Sequence, residues 1–158
     1  RTSKLGARVL SSSKNLQIII KKFNLQTTKE EKFLSEAHSL GIPIKGLKKL
    51  KEQLFGLEAN FEELNAIDFK KGCYVGQENT ARMKLKNKIR RRLLPINCNE
   101  KIKIGSEIYF KDKSIGKVLI AEPFAFALIK LSDINLKKDK IFSVQSEIIK
   151  ITNPFYLN

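Results

Sequence analysis

From residue 89 onward, apolar positions come in short bursts broken by turn formers. The bursts are "IRRRLLPI", "EIYFK", "SIGKVLIAE", "FAFALIKL", "IFSVQ" and "SEIIKIT". Stretches such as "NCNEKIKIGS" and "KDKS" separate them. Six short apolar, β-branched runs at this spacing predict a small antiparallel β-barrel. Upstream the pattern differs. Residues 5–10 and 16–23 are apolar and β-branched enough to predict two strands, with "SSSKN" as the turn between them. "TTKEEKFLSEAHSL" then predicts an amphipathic helix, with Phe33, Leu34, Ala37 and Leu40 on one face. Thr27 or Thr28 is the expected cap, Glu30 and Glu31 suit the positive N-terminal end, and Gly41 with Pro43 stops the helix. His38 falls near the C-terminal end, where a cation is favoured, and reads as a surface residue.

"IKGLKKLKEQL" carries weaker helical periodicity, with Leu47, Leu50 and Leu54 on one side, and a short helix is expected late in "FGLEANFEELNAIDF". A further helix begins near Gly76 or Gln77, and beyond it the chain turns sharply basic in "KLKNKIRRR". The expected organisation is α+β, with an α+β portion over residues 1–86 and a β-barrel domain over 87–158.

Charge narrows the partners. The formal net charge is +15. Split after Met83, the first part has 15 basic against 9 acidic residues and the second 16 against 7, so both are basic. That balance favours an anionic partner such as nucleic acid, a polyglutamate or a phosphate-rich surface. No apolar run is long enough to span a bilayer, so no membrane partner is expected. Two cysteines and one histidine exclude a disulfide framework, a CxxC zinc site and a His-based metal centre within this chain, so no metal site is predicted. The basic run holds Lys84, Lys86, Lys88, Arg90, Arg91 and Arg92, suited to a polyglutamate tail or to weak generic RNA binding. No aromatic interleaving supports sequence-specific RNA reading.

The stretch "KKGCYVGQENTAR", residues 70–82, concentrates the candidate chemistry. Cys73 lies between Gly72 and Gly76, whose backbones are permissive, on a turn leading into a helix. A thiol there feels the helix N-terminus and the nearby Lys70 and Lys71, each of which favours reactivity. A buried structural thiol is the competing reading. Glu78 and Arg82 are spaced to pair across one helical turn. Cys98 lies in a barrel turn without such a setting and reads as passive. Glu58 and Asn60 in "LEAN" lie just upstream. A carboxylate at Glu58 can accept from the paired N–H donors of a pterin, or can simply pair with a lysine.

Lys71, Gly72, Cys73, Tyr74, Gly76, Gln77, Glu78, Ala81 and Arg82 meet every specified position of the motif K-G-C-[FY]-x-G-Q-E-x-x-[AS]-R. In this the chain resembles the YgfZ family of folate-binding proteins, most closely the branch with a mitochondrial iron–sulfur assembly factor. "LGIP" and "ITNPFYL" resemble further landmarks of that family. Gly56 stands where the family commonly has proline, and "MKLKNK" replaces a turn containing His and Gly. The chain begins at Arg1 without Met and reads as the C-terminal part of such a protein.

The resemblance implies the fold of the glycine-cleavage T-protein: the end of a tetrahydrofolate-binding α+β domain followed by the barrel. It also implies tetrahydrofolate as cofactor and Cys73 as the catalytic or otherwise reactive group. Glu58, Lys71, Gly72, Tyr74, Gly76, Gln77, Glu78 and Arg82 would be the binding residues. The partners it implies are iron–sulfur assembly machinery or client enzymes, in a bacterial cytoplasm or mitochondrial matrix. Aminomethyl transfer on the shared fold and an RNA-binding or tRNA-modification module are the alternatives.

Overall fold

The apolar bursts after residue 89 close into a barrel. The computed structural model describes residues 3–73, 75–86, 89–135, 141–144 and 147–157. Six strands form it: β1 (Arg91–Asn97), β2 (Glu107–Phe110), β3 (Lys113–Ile120), β4 (Phe126–Lys130), β5 (Phe142–Val144) and β6 (Glu147–Ile151). Their order is β1-β4-β3-β2-β5-β6, all neighbours antiparallel, and β6 returns to β1 through Ile96 opposite Ile151. Closure leaves no free sheet edge. Phe110 pairs with Lys113 across a two-residue turn in which Lys111 and Asp112 both take positive φ, the geometry that suits the twist of a tight hairpin.

Leu94, Ile96, Ile108, Ile115, Val118, Ile129, Phe142 and Ile149 fill the interior. β1 is buried on both faces, which explains its unbroken "LLPI". Leu93 points the other way and packs with Leu50, Ile120 and Phe126, joined by Leu47 and Leu54. The three leucines aligned in the sequence therefore cover the outside of the barrel, Leu47 and Leu50 on a 3-10 turn and Leu54 on the turns that follow it, rather than on a full helix.

Three helices complete the α+β architecture: α1 (Ser13–Lys22), α2 (Glu30–Ser39) and α3 (Gln77–Leu85). α1 overturns the expected strand at 16–23, and residues 5–10 form no strand. Ser12 caps α1 by accepting from the Asn15 N–H at 3.4 Å. Leu16, Ile19, Ile20 and Phe23 also fit helical spacing, and an isoleucine run without a partner strand satisfies its backbone locally. α2 lies where expected, but Lys29 occupies its cap position and makes no side-chain capping bond, so neither threonine serves. Instead of a short helix, residues 57–65 form successive turns, with Asn60 and Asn65 in the left-handed region.

His38 is the largest correction. It is fully buried, not superficial. Its Nδ1 lies 3.1 Å from the Phe124 carbonyl, and its Nε2 accepts the Lys45 N–H at 3.0 Å. The ring also meets Phe126 edge-on at 5.2 Å. One imidazole thus joins α2 to the loop before β4. Burial holds its pKa below the usual histidine range, opposed by the Phe124 bond and assisted by the charge of Lys45.

The chain end returns to α2. Gly41 terminates the helix at φ +86°, where a Cβ would stand 2.6 Å from Cγ of Pro154. Tyr156 donates its hydroxyl to the Gly41 carbonyl at 2.5 Å. "LGIP" and "NPFYL", far apart in sequence, are one contact.

Candidate functional site

The motif loop ends on Gly76, whose left-handed backbone (φ +85°) turns the chain into α3 without a side-chain cap. Gly72 takes no such conformation, and the position of a Cβ there is open space. Cys73 is exposed, as are Lys70, Lys71 and Val75. Tyr74 lies outside the described residues. Gln77 is half-buried at the start of the helix. Arg82 donates to Glu78 at 2.6 Å, the pairing expected one turn apart. Lys84, farther along α3, forms an ion pair with Glu62 and lies 5.4 Å over the Phe69 ring. These contacts tie the helix to the turns that carry Glu58.

Glu58 is buried and already engaged. Its Oε1 accepts from Nε of Arg91 at 2.8 Å. Its Oε2 accepts from the Phe55 N–H at 3.0 Å and from Nη2 of Arg91 at 3.3 Å. This two-pronged contact fixes the plane of the guanidinium. Arg92, pointing the other way along β1, bonds Oδ1 of Asn60 at 2.8 Å and pairs with Glu63 at 2.5 Å. Asn60 in turn donates to the Leu93 carbonyl at 2.8 Å. "LEAN" is therefore a clamp on the first residues of β1. Half of the basic run is consumed by these ion pairs, through Lys84, Arg91 and Arg92; Lys88 lies outside the described residues.

Between α3, Glu58 and the ends of β1 and β4 lies a cavity of about 600 Å³. Phe55 and Met83 give it apolar wall. Arg82, Lys86, Arg90, Arg91 and Lys130 give it five cations against the single carboxylate of Glu58. Its size suits a small organic ligand. The residues fit tetrahydrofolate: apolar wall can take a flat ring, and the cations can take glutamate carboxylates. The sequence joins Glu58 and Arg82 to this cavity, but Phe55, Asn79, Met83, Lys130 and Ser132 were not foreseen. Lys130 and Ser132 reach it only because β4 pairs with β1, a contact that no local pattern announces.

Cys98 differs from Cys73 in setting. It is half-buried beside the barrel core, and its thiol lies 3.2 Å from Oε2 of Glu147 as donor. Burial, together with Glu147, pushes the Cys98 thiol pKa up, partly offset by a backbone bond at Glu100. The described residues contain no cluster of three or more His, Cys, Asp or Glu suited to a metal ion. Among them no helix is long and apolar enough to cross a membrane.

No protein-family model matches the chain. Curated relatives do. An iron–sulfur cluster assembly factor IBA57 homolog, mitochondrial, from Pyricularia oryzae is 35% identical over 95 residues, covering 60% of this chain and 24% of its own length. The Neurospora crassa protein of the same description is 41% identical over 68 residues, 43% of this chain and 16% of the relative. That of Dictyostelium discoideum is 34% identical over 94 residues, 58% of this chain and 23% of the relative. The matched stretches thus span no more than about a quarter of these relatives' length. The chain is a distant, partial homologue of the mitochondrial iron–sulfur cluster assembly factors of this description, matching their C-terminal part.

Proposed function

We propose that this chain acts within a tetrahydrofolate-binding accessory protein for iron–sulfur cluster assembly or repair, with Cys73 as its working thiol. The observation that supports this reading most is the layout of the motif. One short helix has an exposed thiol just ahead of its N-terminus and a cation-lined cavity along its flank. Reactivity and ligand binding are thereby adjacent but carried by different residues. Cys73, exposed to solvent, can serve as nucleophile, redox group or transient cluster ligand. Arg82 and Arg91 are held by Glu78 and Glu58 so that their charges are in place before a ligand arrives. Glu58 works mainly by orienting Arg91, since three donors already occupy its oxygens. Lys71, Gly72, Gly76 and Gln77 shape the approach to the thiol, and Tyr74 completes the motif.

The relatives' description supports iron–sulfur assembly machinery or its client enzymes as partners, in a mitochondrial setting; the mitochondrial matrix is the compartment we propose, with a bacterial cytoplasm as the alternative. The test of the ligand half is calorimetric titration of tetrahydrofolate into the chain and its Cys73→Ser and Glu58→Ala variants. Cys73→Ser should bind normally. Glu58→Ala, which leaves Arg91 and the Phe55 N–H without their acceptor, should lose about tenfold in affinity. Absence of binding by the unsubstituted chain, or its loss in Cys73→Ser with the fold intact, contradicts the proposal.

A further inference from the structure

α1 buries none of its residues, although four of its ten are apolar. Leu16, Ile19, Ile20 and Phe23 recur at the spacing that sets them on one face. Ile18, Ile20, Phe23 and Leu25 are 39–63% exposed, and Val9 and Leu10 just ahead of the helix are exposed as well. So much apolar surface in one short stretch marks an interaction face rather than scattered surface residues.

Charge defines the partner. From Lys4 to Lys29 the chain has six basic residues and no acidic one. Lys14, Lys21 and Lys22 fall on the arc of α1 that the apolar face leaves free. Among the described residues none of these three enters an ion pair. Nζ of Lys22 lies 5.9 Å over the Phe23 ring, so a cation and an aromatic stand together at the helix end. A second copy of the chain would set the same cations against one another. A nucleic acid would answer the charge and leave the aliphatic face in water. An anionic bilayer answers both, with headgroup phosphates for the lysines and the acyl boundary for the apolar face.

We propose that α1 is an interfacial anchor, lying flat on an anionic lipid surface with Leu16, Ile19, Ile20 and Phe23 toward the acyl chains. Its ten residues make it about 15 Å long, roughly half the hydrocarbon thickness, so it rests on the bilayer and does not span it. The expectation of no membrane partner, drawn from spanning length alone, does not extend to such a surface helix. The anchor is independent of the folate reading above. Each lysine near an anionic surface is worth about fivefold in affinity, and the attraction weakens with salt.

The 158-residue chain contains no tryptophan, so Phe23→Trp supplies a single reporter at an exposed position. Its emission is recorded in buffer, with phosphatidylcholine vesicles, with vesicles that also contain phosphatidylglycerol, and with poly-L-glutamate. Tyr109→Trp, on β2 of the barrel, is the control. The expected result is a blue shift of Phe23→Trp with the anionic vesicles only, and none in Tyr109→Trp. Adding Lys21→Gln and Lys22→Gln should weaken partitioning on the order of tenfold. Absence of the shift, an equal shift with neutral vesicles, or unchanged partitioning of the lysine variant overturns the anchor. An equal shift in Tyr109→Trp also overturns it, because the whole basic surface then adsorbs. So does a shift in buffer that grows with protein concentration, which assigns the face to a second copy. A shift with poly-L-glutamate and none with vesicles overturns it in favour of an acidic protein.

Discussion

Replacing His38 with alanine removes a fully buried ring that satisfies two backbone groups at once. The Phe124 carbonyl loses its donor and the Lys45 N–H loses its acceptor. Each orphaned buried group costs about 1–3 kcal/mol, and the lost ring contacts with Phe126 add to that. The expected destabilisation is on the order of 2–5 kcal/mol, a large share of a small domain's stability. Urea denaturation of the two proteins at pH 7.5 measures it.

The same geometry gives a pH signature. A neutral imidazole protonated at Nδ1 donates to Phe124 and accepts from Lys45 at Nε2. A second proton at Nε2 would face the Lys45 N–H, donor against donor. The folded-state pKa is lowered, mainly by burial, so the unfolded chain takes up the proton first as pH falls. The stability His38 contributes is therefore complete above its unfolded pKa near 6.5 and is lost as pH falls from there through the lowered folded value. The slope cannot exceed about 1.4 kcal/mol per pH unit for one proton. His38 is the only histidine in the chain, so the unsubstituted protein should lose stability between pH 7 and 5.5 and His38→Ala should lose far less. A small effect of the substitution at pH 7.5, or equal pH slopes in both proteins, would refute the buried, neutral His38.

Three further outcomes follow from the packing. Alkylation between pH 7 and 8.5 should modify Cys73 before Cys98, because Cys73 is exposed while burial and Glu147 hold the Cys98 thiol protonated; mass spectrometry of partly labelled protein reads the order, and faster labelling of Cys98 contradicts it. Gly41→Ala should destabilise by about 1–3 kcal/mol, since it forces an alanine to φ +86° with its Cβ 2.6 Å from Cγ of Pro154; unchanged thermal unfolding would mean the chain end does not pack there. In a spectrophotometric titration Tyr156, pushed up to about 12 chiefly by burial, should ionise well above the usual tyrosine range, and Tyr156→Phe should remove that late step.

What the sequence disclosed depended on how local the cause was. All six strands are visible because short apolar, β-branched runs broken by turn formers are a local pattern, and the Glu78–Arg82 pair because helical spacing is fixed. α1 was misread because isoleucines serve either period, and only the capping bond from Ser12 to Asn15 decides. His38 was misplaced because its partner Phe124 lies 86 positions away, and nothing near residue 38 signals burial. The candidate site divides the same way. Cys73, Gly76 and Arg82 stand out in one short motif, whereas Lys130 and Ser132 join the cavity only through the register of β4 on β1. Glu58 stood out in "LEAN" as an acceptor for a pterin or a lysine, whereas its partner in the structure is Arg91, a member of the basic run.

The central claim, that Cys73 is the working group of an iron–sulfur assembly or repair function, is tested most directly by complementation. The protein, unsubstituted and as Cys73→Ser, is introduced into cells deficient in an iron–sulfur cluster assembly factor of the matching description, and the activity of their iron–sulfur enzymes is measured at matched protein levels. Replacing sulfur by oxygen at an exposed position should leave fold and abundance unchanged. The account predicts that the unsubstituted protein restores enzyme activity and Cys73→Ser does not. Full rescue by Cys73→Ser would contradict it.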